Sequence, residues 1–281
     1  CTPSSCMARE IERGYTPEDL ELFIDLDRAA REIGLEPCLI GAGAVQLGAD
    51  LTWRVRLART TKDWDFAIRV DSWTQYEELA SALVARPFRR AREPHRFLHA
   101  HGGTLDVVPY GDLEQPPGSL EWPGGMRMNT TGLSALDRHH ALLAIESVAL
   151  RAASIPAIVG LKLLAYVDRR PGILRDIQDV HALLLQAEDC VPESRVASEA
   201  LEPLRSEALE YSEVGAYLLG RDVGRTFTLA ELAPMSALLT KAGDADDRTV
   251  GDVLGFHGGS AVQRESVIRR LRALRLGIQD R

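Results

Sequence analysis

The chain has 281 residues, 45% of them apolar and 26% charged, and carries a formal net charge of −8 at pH 7. That length accommodates one large domain or two modest ones with real cores, within the ordinary composition of globular proteins. The acid excess argues against non-specific wrapping of nucleic acid, which depends on Lys and Arg contacts to phosphate, and no apolar run approaches the roughly 18–20 residues of a membrane span.

The opening residues, Cys1 to Met7, lack the basic and apolar regions of a signal peptide, and Met7 is itself a candidate start. The four cysteines, Cys1, Cys6, Cys38 and Cys190, show no Cys-x-x-Cys spacing. They read as reduced thiols of a cytoplasmic protein, not as a disulfide framework or zinc site.

In chain order, Thr16-Pro17-Glu18-Asp19 predicts a capped helix start, with apolar residues from Leu20 to Ile33 at helical spacing and Gly34 as its stop. Pro37 to Ile40 predicts a short strand. The Gly41-Ala42-Gly43-Ala44 turn follows, leading into a helix through Leu47. Asp63 to Val70 predicts the next strand, and Ser72 caps a helix reaching Val84. Residues 97–100 and 104–108 flank His101-Gly102-Gly103 as a hairpin, with His99 and His101 expected on one strand face near Asp106. Residues 111–132, rich in Pro and Gly, predict a long connection with one strand at 126–129, followed by β-like sequence around 142–148. Pro156 opens a strong helix, Pro171-Gly172 breaks it, and a second helix runs from Ile173 to Gln186. The remainder, from Pro192 to Ile278, patterns as helices broken at Gly220, Gly243 and Gly255 to Gly259.

This order predicts an α+β fold: a small mixed β-sheet flanked by helices over residues 1–155, then a mostly helical half over 156–281. Two arginine runs, 86–96 and 264–275, read either as solvated faces or as anion-binding patches.

The chemistry concentrates at Asp63 and Asp65. Residues two apart on a strand point the same way, so the two carboxylates project together. Like charges that close repel unless a cation sits between them. Hard divalent ions take such oxygen ligands and share them with phosphates. Two solvated acids at a polar strand end are the plainer alternative. Asp106, from a neighbouring strand, completes a possible set for two divalent ions, or accepts a proton from an attacking hydroxyl; burial beside an arginine is its other reading. The glycine turn offers backbone N–H groups to phosphate without a Cβ in the way, or is simply tight. Trp64 alternates with the acids and is expected in packing. Lys162, on an apolar helix, either snorkels to solvent or meets an anion.

Gly41-Ala-Gly-Ala44, Arg59-Thr-Thr-Lys-Asp-Trp-Asp65 and Leu105-Asp-Val-Val108 together resemble the signature of the nucleotidyltransferase superfamily with the polymerase-beta-like core. Residues 161–169 and 175–180 are similar to the branch containing AbiEii/AbiGii toxins. The resemblance implies that an NMP moves from an NTP to a hydroxyl, with Mg²⁺ (two ions, or Mn²⁺ in their place) on Asp63, Asp65 and Asp106. It implies nucleotide binding by Gly41, Ala42, Gly43, Ala44, Arg59, Thr61 and Lys62, with Lys162 on the donor phosphates and Asp176, on the next helix, supporting the nucleotide site. Asp179 is a further helix carboxylate or an arginine's partner. Many members carry Gly-Ser at the turn, whereas Ala42 and Ala44 offer no hydroxyl. The branch implies a tRNA or protein acceptor and admits an antitoxin partner. A small-molecule acceptor of the antibiotic type and a non-catalytic nucleotide-binding protein are the competing readings.

Overall fold

Alternation along one strand organises the molecule. In the computed structural model, which describes residues 14–55, 57, 61–169, 173–206, 209–242, 248–255 and 259–281, strand β2 spans Asp63–Val70. Trp64, Phe66, Ile68 and Val70 are buried, while Asp63 and Arg69 between them are exposed. The apolar side packs on helix α1 (Pro17–Glu32), where Phe23 meets Trp64 edge-on at 4.7 Å between ring centroids. The Trp64 indole N–H donates to Asp19 at 2.6 Å. Asp19 also closes the reciprocal cap with Thr16 that starts α1.

Around β2, β1 (Cys38–Ile40), β3 (Phe88–Arg90), β4 (Arg96–His99), β5 (Thr104–Gly111), β8 (His140–Ile145) and β9 (Val148–Ala153) complete a mixed sheet ordered β3-β4-β5-β2-β1-β9-β8 among the described residues. β2 runs parallel to β5, and β1 parallel to β9; the other pairings are antiparallel. Helices α2 (Gly41–Gly48) and α3 (Trp73–Val84) connect strands, and a small hairpin, β6 (Ser119–Glu121) with β7 (Arg127–Asn129), stands apart from the sheet. From α4 (Ile155–Arg169) onward the described chain is helical: α5 (Arg175–Cys190), α6 (Glu193–Arg195), α7 (Leu201–Arg205), α8 (Val214–Thr226), α9 (Leu229–Lys241), α10 (Thr249–Leu254) and α11 (Ala261–Gln279).

The α+β class, with a helical second half, is as expected. Four details differ. The β-like stretch around 142–148 is a hairpin whose turn falls at Glu146-Ser147, with Glu146 at a positive φ of 50°. Phe88 to Arg90 is a strand, although its arginines read as surface. Gly220 does not break a helix: a Cβ there would lie 2.2 Å from the Leu274 carbonyl oxygen, so it is where α8 and α11 touch. His99 and Asp106 face opposite sides of the sheet. His99 is buried against Asp25 at 3.2 Å, and His101 sits in the turn beyond β4, on Glu21. The expected break at Gly243 lies outside the described residues.

Among the described residues, half of the arginines in the two runs are ion-paired. Arg86 meets Glu32, Arg90 meets Glu77 and Arg96 meets Asp106, while Arg269 and Arg270 meet Glu210 and Glu188. The exposed pairs among them, such as Arg90 with Glu77, contribute about 0–1 kcal/mol each.

Candidate functional site

Strand register brings the acids together. The parallel ladder sets Asp65 beside Asp106 and Asp63 beside Thr104, while the antiparallel ladder sets Ile40 beside Asp65. β1 ends at Ile40, and the next residue, Gly41, turns with φ of +65° and begins α2. A Cβ on Gly41 would lie 2.2 Å from Asp65 Oδ2, so only glycine lets the head of the helix meet that carboxylate. No side chain caps α2. Its first N–H groups are therefore left for water or a ligand.

The four residues of this turn divide in role. Gly41 and Ala42 line the cleft. Gly43 and Ala44 do not. A Cβ at Gly43 would strike the Trp64 ring at 2.6 Å, and Ala44 lies in the core. Their smallness serves helix-on-strand packing.

Two cavities, of about 430 and 690 Å³, share Ala42, Asp65, Asp106 and Arg175. Both volumes fall within the range of small-ligand sites. Asp63 and Thr61 line the larger; Lys162, Asp168 and Asp176 line the smaller. Thr61 folds over the start of β2, its hydroxyl donating to the Asp63 carbonyl at 2.8 Å. Lys62 is exposed and lines neither cavity, and Arg59 lies outside the described residues.

Lys162 is buried on α4 and held from both sides by α5, its Nζ 2.8 Å from Asp176 Oδ1 and 2.9 Å from Asp179 Oδ2. Arg169 adds a longer contact to Asp176 at 3.7 Å. Asp176 and Asp179 both pair with Lys162. This buried trio ties α4 to α5 at the wall of the cleft.

Asp106 is committed to Arg96. Its two oxygens accept from Arg96 Nε at 2.8 Å and Nη2 at 2.7 Å, a bidentate fork. Sequence reasoning placed Arg96 only in a surface run; the signal it missed is the β4–β5 register, which sets Arg96 opposite Asp106. His95, also at the smaller cavity, has a buried Nδ1 without a hydrogen-bond partner, and burial lowers its pKa.

The cleft carries excess acid. Among the described lining residues, Asp63, Asp65, Asp106, Asp168, Asp176 and Asp179 face Lys162, Arg96, Arg169 and Arg175. Burial first, and Asp106 second, push the Asp65 carboxyl up to about 6, partly offset by Lys162. Paired oxygen donors with surplus negative charge suit a hard divalent cation, and Asp63 with Asp65 are the residues that would hold one. Among the described residues no three acids or histidines converge closely enough to hold a metal together.

No protein-family model matches the chain. No curated protein matches it either. Among solved structures, it is similar to the solution structure of the antibiotic-resistance factor ANT(2'')-Ia, at 15% identity and a TM-score of 0.40 over 68% of this chain and 94% of that one. It is also similar to the crystal structure of ANT(2'')-Ia in complex with adenylyl-2''-tobramycin, at 18% identity and a TM-score of 0.38 over 58% and 86% of the two chains. A third similar structure is an antigenic nucleotidyltransferase-like protein from Paracoccidioides brasiliensis, at 17% identity and a TM-score of 0.39 over 58% and 74%. At this distance the likeness concerns the course of the backbone, and a functional reading rests on the residues of the cleft.

Proposed function

We propose that the chain is a nucleotidyltransferase, moving a nucleoside monophosphate from a triphosphate to an acceptor hydroxyl with release of pyrophosphate. One observation carries the reading: Asp63 and Asp65 on β2, in register with Asp106 on β5, stand against the open head of α2 in a cleft that Lys162 reaches.

Each element has a task in that reaction. The first N–H groups of α2 bind triphosphate oxygens by backbone alone, so Ala42 and Ala44 need no hydroxyl. Lys162, locked by Asp176 and Asp179, offers N–H donors at the wall without having to be ordered on binding. Asp63 and Asp65 would hold Mg²⁺ or Mn²⁺, which supplies neutralisation of triphosphate charge and activation of the attacked phosphorus. Substituting both aspartates by Asn is expected to abolish transfer; transfer surviving in the double variant would remove the mechanism.

Two acceptor classes follow from this reading. The toxin-type resemblance favours a tRNA or protein hydroxyl, with an antitoxin as partner. The acid excess of the cleft, Asp168 among its apolar and amide neighbours Met128, Asn129 and Leu161, favours a small acceptor bearing amines, of the antibiotic type. Four α-labelled triphosphates screened against bulk tRNA, protein and aminated small molecules distinguish the classes. Label on the small molecule supports the second, and label on tRNA or protein supports the first. Nucleotide binding without turnover on any acceptor would leave a non-catalytic nucleotide-binding protein.

A further inference from the structure

Asp106 is the carboxylate that a second divalent ion would need, and it is already neutralised from within the chain. Arg96 and Asp106 are direct cross-strand partners on antiparallel β4 and β5, so the backbone sets their approach. The guanidinium fork takes both carboxylate oxygens, at 2.8 and 2.7 Å. The Asp106 side chain is 9% exposed and that of Arg96 is 36% exposed, so the acid lies inside and the arginine closes over it. Donating both hydrogen bonds to Asp106 holds Arg96 even more firmly in its charged form. By contrast, neither Asp63 nor Asp65 has an ion-pair partner among the described residues. Among the described residues, then, Asp106 has a cation in direct contact and Asp63 and Asp65 have none.

We propose that the cleft binds a single divalent ion, on Asp63 and Asp65, and that Arg96 permanently fills the place of a second by holding Asp106. The inference rests on the nucleotidyl-transfer reading for its purpose, but it can be counted without the reaction. Arg96 then acts as a positioning residue: it keeps Asp106 oriented beside Asp65 without recruiting an ion. A buried carboxylate stripped of its guanidinium would be an uncompensated charge, and would capture an ion in its place.

The test is a titration of the full chain with Mn²⁺ alone, free ion being read by its electron paramagnetic resonance signal. The wild type is expected to bind one ion, Asp63→Asn/Asp65→Asn none, and Asp106→Asn still one, with affinity within about threefold of the wild type. Arg96→Met is expected to gain a second ion, whereas Arg96→Lys stays at one. Two ions on the wild type, or loss of the ion in Asp106→Asn, would overturn the proposal while leaving nucleotidyl transfer intact. No ion on the wild type would overturn both the proposal and the metal-dependent mechanism. If Arg96→Met fails to fold, the near-isosteric Asp106→Asn variant still decides the matter.

Discussion

Gly41 and Gly43 look alike in the sequence and do different work. Gly41 has a positive φ and touches the Asp65 carboxylate, whereas Gly43 touches the Trp64 ring. Gly41→Ala should therefore cost activity out of proportion to stability, at least tenfold in kcat/KM for about 1–2 kcal/mol of folding free energy. Gly43→Ala should do the reverse, lowering stability by about 1–3 kcal/mol through overpacking. Steady-state kinetics beside urea denaturation separates the two effects, and equal losses of both kinds would refute the division. Lys162 belongs to the same scale. Lys162→Met leaves Asp176 and Asp179 buried without their ammonium and should cost about 3–5 kcal/mol, read as a fall in the denaturation midpoint.

At the scale of elements, alternation made β2 legible. Four buried side chains, alternating with Asp63, Asp65 and Arg69, announce both a strand and its two faces, and Trp64 packs as expected. What one strand cannot reveal is its neighbours. The pairing of Asp65 with Asp106 agreed with expectation, but the pairing of Asp106 with Arg96 depends on the β4–β5 register, a long-range fact that local pattern does not carry. Gly220 shows the same limit in a helix. It reads as a breaker because glycine is a poor helix former, yet it lies within α8 so that α11 can approach. A Cβ on Gly277 would lie 1.9 Å from the Tyr217 carbonyl oxygen, so the crossing is built from glycine on both helices. Gly277→Ala should push the helices apart and cost about 2 kcal/mol or more, measured by thermal or urea unfolding. An unchanged midpoint would show that the helices can separate freely.

Across the whole molecule, the division into a sheet-based half and a helical half was legible because the apolar period changes from two to three or four near residue 155. The lining of the cleft between them was only partly legible: the acids and Lys162 stand out by type, whereas Lys62, Gly43 and Ala44 belong to the motif but not to the cavity lining. Stability should also depend on acid. His181 on α5 is half-buried beside Arg270, its Nε2 without a hydrogen-bond partner, and burial lowers its pKa to about 4. The folded state therefore resists a proton that the unfolded chain accepts. The contribution of His181 is fully present above about pH 6.5 and is lost progressively toward pH 4, by at most about 3 kcal/mol. Unfolding free energy measured across that window should fall less steeply in His181→Gln than in the wild type; identical slopes would exclude this residue as a cause.

The central claim is that Asp63 and Asp65, beside the head of α2, serve nucleotidyl transfer. It is tested most directly by offering the same triphosphate labelled at the α or at the γ phosphorus. The account predicts that the α label reaches the acceptor, that the γ label leaves as pyrophosphate, and that both signals vanish in Asp65→Asn. Label transferred from the γ position, or α transfer undiminished in Asp65→Asn, would contradict it.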